Sequence, residues 1–300
     1  MTTPPLSRRR VYAMLMLVLL LWAGNSIVGR ALRDDIPPFS LAFFRWTGAF
    51  LILLPFAARK VVADWPAIRA GWPRILLLGV LGVGMFNALL YSGLRLTTAT
   101  NALLIQAAIP AMILVFDFAF FRNRPSWAQV AGVGIAAIGV AIIIFEADPA
   151  KLLTLRFGAG DVIILGAVVV WALYTALLPI RPPIAPLSFL ALTFLVGVAA
   201  MLPLAMGEWH SFTIRLSPLV IGGIAYVTVL PSIVAYLLFN RAVAEIGAAD
   251  AGQVISLQPL FGALLAAVLL GEALHPYHLA GMLLILLGIA APLTVRRKAA

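Results

Sequence analysis

The sequence predicts an all-α membrane protein: ten transmembrane helices, arranged as two inverted five-helix repeats around a central cavity. The first observation behind this fold class is a series of apolar runs of about 20 residues, the length of helix that crosses a bilayer. The second is an internal echo, in which the second half of the chain repeats the first at a constant offset. Because each half contains an odd number of runs, the two halves must enter a membrane in opposite orientations.

Composition and run length define the individual helices. The chain is 63% hydrophobic and only 11% charged, whereas soluble domains contain about 25% charged residues. The predicted spans, in order, are residues 11–29, 39–58, 75–94, 99–121, 127–145, 161–179, 186–206, 218–240, 248–270 and 276–295. The first span follows three arginines, as a signal peptide does, but it is too long for one. We predict that it remains as an uncleaved helix.

The echo between the halves has an offset of 149 residues and needs no insertion. It pairs residues that substitute poorly for others: Trp22 with Trp171, Pro37 with Pro186, Gly48 with Gly197, Pro110 with Pro259, Gly132 with Gly281 and Gly139 with Gly288. The predicted repeats are residues 1–145 and 161–300, joined by a periplasmic linker over 146–160. Inverted repeats of this kind are typical of secondary transporters.

The distribution of Lys and Arg sets the predicted orientation. A net charge of +10 would suit a nucleic-acid-binding protein, but most of the basic residues lie in loops predicted on one side of the membrane. Both chain ends are on that side. By the positive-inside rule the two termini are cytoplasmic, and we predict a multi-pass protein of the bacterial inner membrane. The basic loops are expected to contact anionic lipid headgroups rather than nucleic acid.

Spans 1 and 6 carry matching polar groups and are the first candidate substrate-binding elements. Spacing places each group on one helix face: Trp22, Asn25 and Ser26 in the first copy, and Trp171, Tyr174 and Thr175 in the second. Polar side chains inside a span face the protein interior or a water-filled cavity, so we interpret the groups as two walls of a binding site. Alternatively, each Trp anchors its helix at the membrane interface and each hydroxyl bonds to its own helix.

Spans 3 and 8 carry an amide and a phenol four residues apart. Asn87 and Tyr91 occupy these positions in span 3, and Tyr236 and Asn240 occupy them in span 8, so the two residue types have exchanged places. Together they could hydrogen-bond a polar substrate across a cavity. They could equally bond each other between helices, and the sequence leaves both interpretations open.

Spans 4 and 9 contain prolines near their middle, Pro110 and Pro259. Proline removes a backbone hydrogen bond and interrupts a helix, and interrupted spans at equivalent positions in two repeats are typical of a transport site. We therefore predict that the two prolines are hinges. Polar residues surround them and are further candidates for binding: Gln106, Gln253, Ser256 and Gln258. In the alternative interpretation the prolines are packing kinks and the amides join neighbouring helices.

Other glycine, polar and charged residues of the spans receive a structural interpretation. The glycines of spans 5 and 10 are seven residues apart and predict close helix packing. Asn101 and Asp250 are predicted N-caps of spans 4 and 9. Charged residues are predicted to form ion pairs at the membrane boundary: Arg45 with Asp34 or Asp35, and Asp117 with Arg122. Glu272, just after span 9, is also predicted to pair there.

No cofactor or metal is predicted. The chain has no cysteine, which excludes cysteine-based sites. His275 and His278 share a helix face, but a third metal ligand is not evident nearby. An enzyme is not expected either, because neither a nucleophile nor an acid–base set is grouped in the sequence.

The motifs resemble the drug/metabolite transporter superfamily, and within it the ten-helix proteins with duplicated EamA domains. The resemblance covers essentially the whole chain. Residues Trp22-Ala23-Gly24-Asn25 are similar to the family's Trp-Gly-x-Asn signature, and Arg45 matches an arginine that is frequent in the second span. The second copy also keeps the family's terminal pattern, formed by Pro259, Glu272, Gly281 and Gly288, whereas the first copy has Asn123 at the acidic position.

This resemblance implies a basket of ten helices that works by alternating access, most similar to bacterial exporters of aromatic amino acids. We predict export of small zwitterionic or neutral metabolites, chiefly amino acids. An exporter of lipophilic cations or drugs is the alternative, since aromatic walls also attract cations. A sugar-phosphate or nucleotide-sugar exchanger is favoured less, because it would need several deep cations. A monomer is compatible with the sequence, and proton antiport and facilitated diffusion both remain open.

Overall fold

The structure is a computed structural model, and helices dominate the part of the chain that it describes. That part is residues 6–298, apart from 33, 98–101, 103–104, 154–157, 211–213 and 271–274. At 26, 30, 152, 263, 266, 269–270 and 292–298 only the backbone is described.

Helices follow one another along the chain with short connections. In order they are α1 (Arg8–Ala31), α2 (Pro38–Ala63), α3 (Trp65–Leu94), α4 (Ile109–Phe121), α5 (Trp127–Ile144), α6 (Ala159–Ile180), α7 (Pro186–Trp209), α8 (Pro218–Ile246), α9 (the consecutive segments Ala248–Val254, Ile255–Leu257 and Gln258–Leu270) and α10 (Pro276–Lys298). A further helical turn, Ala150–Leu153, lies in the predicted linker.

Seven candidate membrane spans are present within the described residues, judged by helix length and composition. They are the helices α1 to α3 and α5 to α8, and two shorter apolar helices lie at Ile109–Phe121 and Pro276–Ala291. The chain is therefore a multi-pass membrane protein. The full count of ten spans and their inverted arrangement stay predictions.

Most helix boundaries lie within a few residues of the apolar runs, while α2 and α8 extend past their predicted ends to Ala63 and Ile246. The starts of spans 3 and 4 also differ. The helix α3 begins at Trp65 rather than at 75, because the exposed Arg69 and Arg74 fit on its surface without interrupting it. Span 4, predicted from residue 99, begins among residues that lie outside the described part of the chain. Its described portion has a turn at 107–108 and continues as α4.

Two π-helical segments interrupt α3 and α8 at equivalent positions of the repeat. They cover Val80–Met85 and Thr228–Val234, which the 149-residue offset superimposes. Pro231 lies inside the second segment, where its missing N–H and its ring prevent a regular α-helical turn. Such segments widen one turn of a helix and are frequent at functional sites.

The chain divides into two compact units, each of which takes residues from both halves of the sequence. The first unit contains Met1–Tyr91 and Leu177–Ile246, and the second contains Ser92–Ala176 and Gly247–Ala300. The packing units thus differ from the repeats predicted along the chain, whose boundaries stay a prediction.

In the first unit, α2 and α7 pack side by side and cap each other. The carboxylate of Glu208, near the end of α7, accepts hydrogen bonds from the backbone N–H groups of Phe39 (3.2 Å) and Ser40 (2.8 Å) and from the Ser40 hydroxyl (3.0 Å). At the other end, Asp64 accepts one from the backbone N–H of Ala185 (2.8 Å), which precedes α7. Each carboxylate satisfies N–H groups that a helix start leaves without partners. The two helices are therefore antiparallel.

In the second unit, α5 and α10 cross where both have glycine. A Cβ built on Gly132 would lie 2.3 Å from the carbonyl oxygen of Gly288, and one on Gly139 would lie 2.6 Å from that of Gly281. Only glycine allows the two backbones to approach this closely. The close packing predicted from the glycine spacing is confirmed, and this pair is also antiparallel.

Candidate functional site

The residues predicted to bind substrate fall into two groups, one in each compact unit. The first unit holds Trp22, Asn25, Asn87, Tyr91, Tyr236 and Asn240; the second holds Gln106, Trp171, Tyr174, Gln253 and Gln258, together with the predicted hinges Pro110 and Pro259. Trp22 and Trp171, which the repeat makes equivalent, therefore belong to different units.

An aromatic cluster occupies the interior of the first unit. Its members come from α1, α2, α7 and α8, and all are buried: Trp22, Trp46, Phe194, Tyr236 and Phe239. The ring of Trp22 lies 5.2 Å from Phe239 and 6.1 Å from Tyr236, and Trp46 lies 5.0 Å from Phe194 and 5.6 Å from Tyr236. Tilted and edge-to-face pairs at these distances stabilise aromatic packing. Four helices thus share one aromatic centre.

Two members of the aromatic cluster bind the π-helical segments through their polar ends. The indole N–H of Trp22 donates to the carbonyl oxygen of Pro231 at 3.1 Å, and the hydroxyl of Tyr236 donates to that of Gly82 at 2.8 Å. Gly82 and Pro231 are repeat mates, so each of two equivalent carbonyls accepts a bond from an aromatic side chain, although the two donors occupy different positions of the repeat. Both polar ends are thus bonded to backbone carbonyls of the first unit, and the role of Trp22 and Tyr236 in substrate binding stays a prediction.

Arg45 lies beside the aromatic cluster and is bonded to neutral groups. Its Nε donates to the Ser232 hydroxyl at 2.5 Å, and its Nη1 donates to the Asn25 side-chain oxygen at 3.2 Å. Its Cζ also lies 4.4 Å from the ring centroid of Trp46, a cation–π contact. The expectation that Arg45 pairs with Asp34 or Asp35 is wrong. The reason is that its helix directs it inward to α1 and α8.

The signature in α1 now has a structural explanation. Within Trp22-Ala23-Gly24-Asn25, the tryptophan bonds Pro231 and the asparagine accepts from Arg45. A Cβ on Gly24 would lie 2.1 Å from the hydroxyl of Tyr226, so a larger residue here would require the Tyr226 side chain of α8 to move. All three residues therefore serve contacts of α1 with its neighbours in the first unit.

Sequence reasoning missed part of this site. It did not select Trp46, Phe194, Ser232 or Phe239, and it placed Arg45 at the membrane boundary. A usable signal was present: Pro231 and Ser232 follow each other inside an apolar span, as a helix interruption and a polar group would at a functional position.

Asn87 is bonded within its own helix. Its side-chain N–H donates to the carbonyl oxygen of Val83 at 2.8 Å, one turn earlier and inside the π-helical segment of α3. Asn240 is also buried, whereas Tyr91 is half-buried. Of Asn87 and Tyr236, only Tyr236 joins helices, through its bond to Gly82 of α3, whereas Asn87 bonds its own helix. The role of these residues in substrate binding stays a prediction.

Two of the predicted amides of the second unit bond backbone carbonyls, and only that of Gln253 reaches another helix. Gln253 donates to the carbonyl oxygen of Gly288 at 2.8 Å, next to the glycine crossing, and Gln106 donates to that of Ala102 at 3.2 Å. Gln258 is half-buried. The rings of Trp171 and Tyr174 pack on each other with centroids 5.3 Å apart, and both are buried.

Asp250 is not an N-cap, contrary to the prediction. The residue before α9 is Gly247, and Asp250 lies in the first turn, where it accepts a hydrogen bond from Gln129 at 2.9 Å. Because α5 packs nearby, this carboxylate joins two helices instead of capping its own. Its repeat mate Asn101 lies outside the described residues.

The prolines Pro110 and Pro259 both begin a helical segment after an interruption. Pro110 is in the first turn of α4, directly after the turn at 107–108. Pro259 is the second residue of Gln258–Leu270 and follows the 3-10 turn Ile255–Leu257. Proline is well tolerated at such positions because no helical partner is lost. The interruptions are present as expected, and the hinge role stays a prediction.

The remaining predicted pairs differ in outcome. Asp117 accepts a hydrogen bond from Asn123 at 3.0 Å rather than pairing with Arg122, which ends α4 in a left-handed conformation and so turns away. Glu272 and the side chain of Ser26 lie outside the described part. Within that part, groups of three or more acidic or histidine side chains able to hold a metal ion are absent.

Comparison with known proteins gives a family match and several distant relatives. The model of the EamA-like transporter family matches residues 9–145 and again 158–293. A probable terminal-alkyne amino-acid exporter of Streptantibioticus cattleyicolor is 27% identical over 95% of this chain and 92% of its own length. An uncharacterized transporter of Archaeoglobus fulgidus is 25% identical over 88% of this chain and 90% of its own length.

Two further similarities point the same way. The uncharacterized transporter YyaM of Bacillus subtilis is 27% identical over 71% of this chain and 70% of its own length. A crystal structure of a protein with 18% sequence identity superimposes with a TM-score of 0.78, covering 98% of this chain and 99% of that one. At this identity the superposition establishes the fold alone.

Proposed function

Because this chain belongs to the EamA-like transporter family, we propose that it exports small zwitterionic metabolites, chiefly amino acids with aromatic side chains, by alternating access. The family and the transporters among its relatives make it a multi-pass membrane transporter of small molecules rather than an enzyme. The substrate class and the mechanism are the proposal.

The aromatic cluster of the first unit is the observation that carries the substrate class. Five aromatic side chains meet there beside a polar group formed by Arg45, Asn25 and Ser232. Aromatic faces bind flat apolar groups and attract ammonium groups, and amides and hydroxyls bind the polar end of a zwitterion. The relative named as an amino-acid exporter supports the same class.

Alternating access requires helices that bend at defined places. The backbone is already interrupted before Pro110 and Pro259, and the two π-helical segments break the regular bonding of α3 and α8. Such interruptions are the ordinary sites of helix bending. We infer that the two repeats rock against each other about these places. The position of the protein in the inner membrane with cytoplasmic termini belongs to the same proposal.

Transport by purified protein in proteoliposomes tests the function. Labelled Phe and Trp are expected to enter protein-containing vesicles faster than empty ones, and unlabelled amino acids should compete. Uptake equal to that of empty vesicles would overturn the substrate class. Selective uptake of tetraphenylphosphonium would instead favour the lipophilic-cation alternative. Repeating the assay with an imposed pH gradient distinguishes proton antiport from facilitated diffusion.

A further inference from the structure

Arg45 is a buried positive charge whose partners in the structure are neutral. On the basis of the proposed function, we propose that Arg45 recognises the carboxylate of the substrate, and that the side-chain oxygen of Asn25 occupies the carboxylate's position when no substrate is bound. Arg45 is then the residue by which the protein distinguishes amino acids from amines of similar shape that lack a carboxylate.

The charge of Arg45 is the first step of the argument. Its side chain is 4% exposed, and among the described residues it is the only Lys or Arg that is buried. Arginine does not lose its proton in proteins, so burial cannot be relieved by neutralisation. A buried charge normally requires an opposite charge, and within a membrane protein such a residue usually marks a substrate path.

The neighbours of Arg45 hold the guanidinium in one orientation. Ser232 binds Nε at 2.5 Å and itself donates to the carbonyl oxygen of Val227 at 2.7 Å. Trp46 covers one face of the cation at 4.4 Å. These contacts hold the guanidinium in place and leave its Nη1 directed at Asn25. Because the group is already ordered, a ligand that binds at Nη1 loses less conformational entropy on binding.

The Asn25 contact is the one that a substrate can replace. At 3.2 Å it is longer than the bond to Ser232, and Asn25 is half-buried whereas Arg45 is buried. A neutral amide oxygen does not compensate the charge. A carboxylate oxygen does, and charge-assisted bonds between guanidinium and carboxylate are about twice as strong as neutral ones.

The surroundings also indicate what the carboxylate is attached to. Trp22 lies one turn before Asn25 on α1 and belongs to the aromatic cluster, so a carboxylate at Arg45 would bring its substituent beside aromatic rings. One guanidinium balances one negative charge. A phosphomonoester carries up to two, so the single buried positive charge favours a carboxylate over a phosphate.

Substrate pairs that differ only in the carboxylate test the proposal. We would compare Arg45→Gln, Arg45→Lys and wild type in proteoliposomes with phenylalanine, phenylalaninamide and phenethylamine. Arg59→Gln is the matched control, because Arg59 lies on the same helix but is exposed. Melting temperatures of the purified variants report folding separately. Binding of 3-phenylpropionate, its amide and phenyl phosphate is measured by thermal shift.

The expected result is a change in selectivity. Arg45→Gln should lower phenylalanine uptake at least about tenfold, the loss expected for one charge-assisted hydrogen bond, while uptake of the amide and the amine changes less than about twofold. Arg45→Lys should keep part of the preference, and Arg59→Gln all of it.

Three outcomes would overturn the inference. The first is unchanged selectivity in Arg45→Gln, and the second is an equal loss for all substrates in a variant that melts normally. The third is stabilisation of wild type by phenyl phosphate but not by 3-phenylpropionate. If wild type takes up no amino acid yet binds 3-phenylpropionate through Arg45, the proposed function fails and the carboxylate site stands.

Discussion

Trp22 donates its indole N–H to the carbonyl oxygen of Pro231, 3.1 Å away, inside the π-helical segment of α8. Backbone bonding in such a segment departs from the regular α-helical pattern, and here a side chain from another helix donates to one of its carbonyls. The equivalent carbonyl in α3, that of Gly82, receives the hydroxyl of Tyr236. Trp22 and Tyr236, which the sequence predicted to bind substrate, thus each bond a π-helical segment, Trp22 that of α8 and Tyr236 that of α3.

Replacing Trp22 by phenylalanine removes this bond and keeps an aromatic ring. We expect Trp22→Phe to lower the free energy of unfolding by about 1–3 kcal/mol, because the buried carbonyl of Pro231 loses its donor. Tyr236→Phe should cost a similar amount for the same reason at Gly82. Denaturant titration of the purified protein in detergent measures both. Trp65→Phe is the control, since Trp65 is 57% exposed; equal costs at all three positions would contradict the explanation.

The cap that Glu208 forms on α2 predicts a coupled effect. Glu208→Ala should lower stability by about 1–2 kcal/mol, because it removes the acceptor for two backbone N–H groups and for the Ser40 hydroxyl. Ser40→Ala loses part of the same network, so the double variant should cost less than the sum of the single ones.

The exposed acidic residue Glu146, which pairs with Lys151 at 2.7 Å, provides the comparison for Glu208. A surface ion pair contributes little, so Glu146→Ala should stay within about 0.5 kcal/mol of wild type. Strict additivity of Glu208→Ala and Ser40→Ala would show that the two groups act independently and would contradict the shared cap.

Adding a single methyl group at either of two glycines of α5 tests the helix crossing. Gly132→Ala would place a methyl group 2.3 Å from the backbone oxygen of Gly288, which cannot move aside as a side chain can. We expect a loss of about 1–3 kcal/mol or failure to fold. Gly134→Ala meets nothing within 4 Å and should be neutral or stabilising by up to about 1 kcal/mol. The melting temperatures of Gly132→Ala and Gly134→Ala are compared, and similar values would contradict a close backbone contact at Gly132.

The parts of the fold that sequence predicted well depend on local chemistry. The interruptions next to Pro110 and Pro259 follow from the missing proline N–H, and the crossing at Gly132 follows from the absence of a side chain. The partners of Arg45 were not predictable in this way. Ser232 lies 187 residues away and Asn25 lies 20 away, and periodicity assigns a residue to a helix face without naming the helix opposite.

The π-helical segments were also missed, although Pro231 was visible in the sequence. An apolar run reveals length and composition but not the pitch of each turn. Polar residues were then assigned to a cavity because they lie inside spans, whereas Gln253 and Asn87 bond carbonyls of the protein itself. A polar side chain in a span can face a cavity or bond the protein's own backbone, and only the three-dimensional structure distinguishes these two roles.

The hinge role of Pro110 and Pro259 can be separated from packing by kinetics. Alanine restores the N–H that proline lacks, so Pro110→Ala and Pro259→Ala favour a continuous helix across the interruption. If transport bends the chain there, a barrier higher by about 1.4 kcal/mol slows it about tenfold, while the dissociation constant of the substrate changes less. Pro203 lies inside the continuous helix α7, so Pro203→Ala is the control and should leave the rate within about twofold. Transport rates in proteoliposomes, set beside equilibrium binding of the same substrate, decide between the two roles, since packing kinks would leave the rates of both variants equal to that of the control.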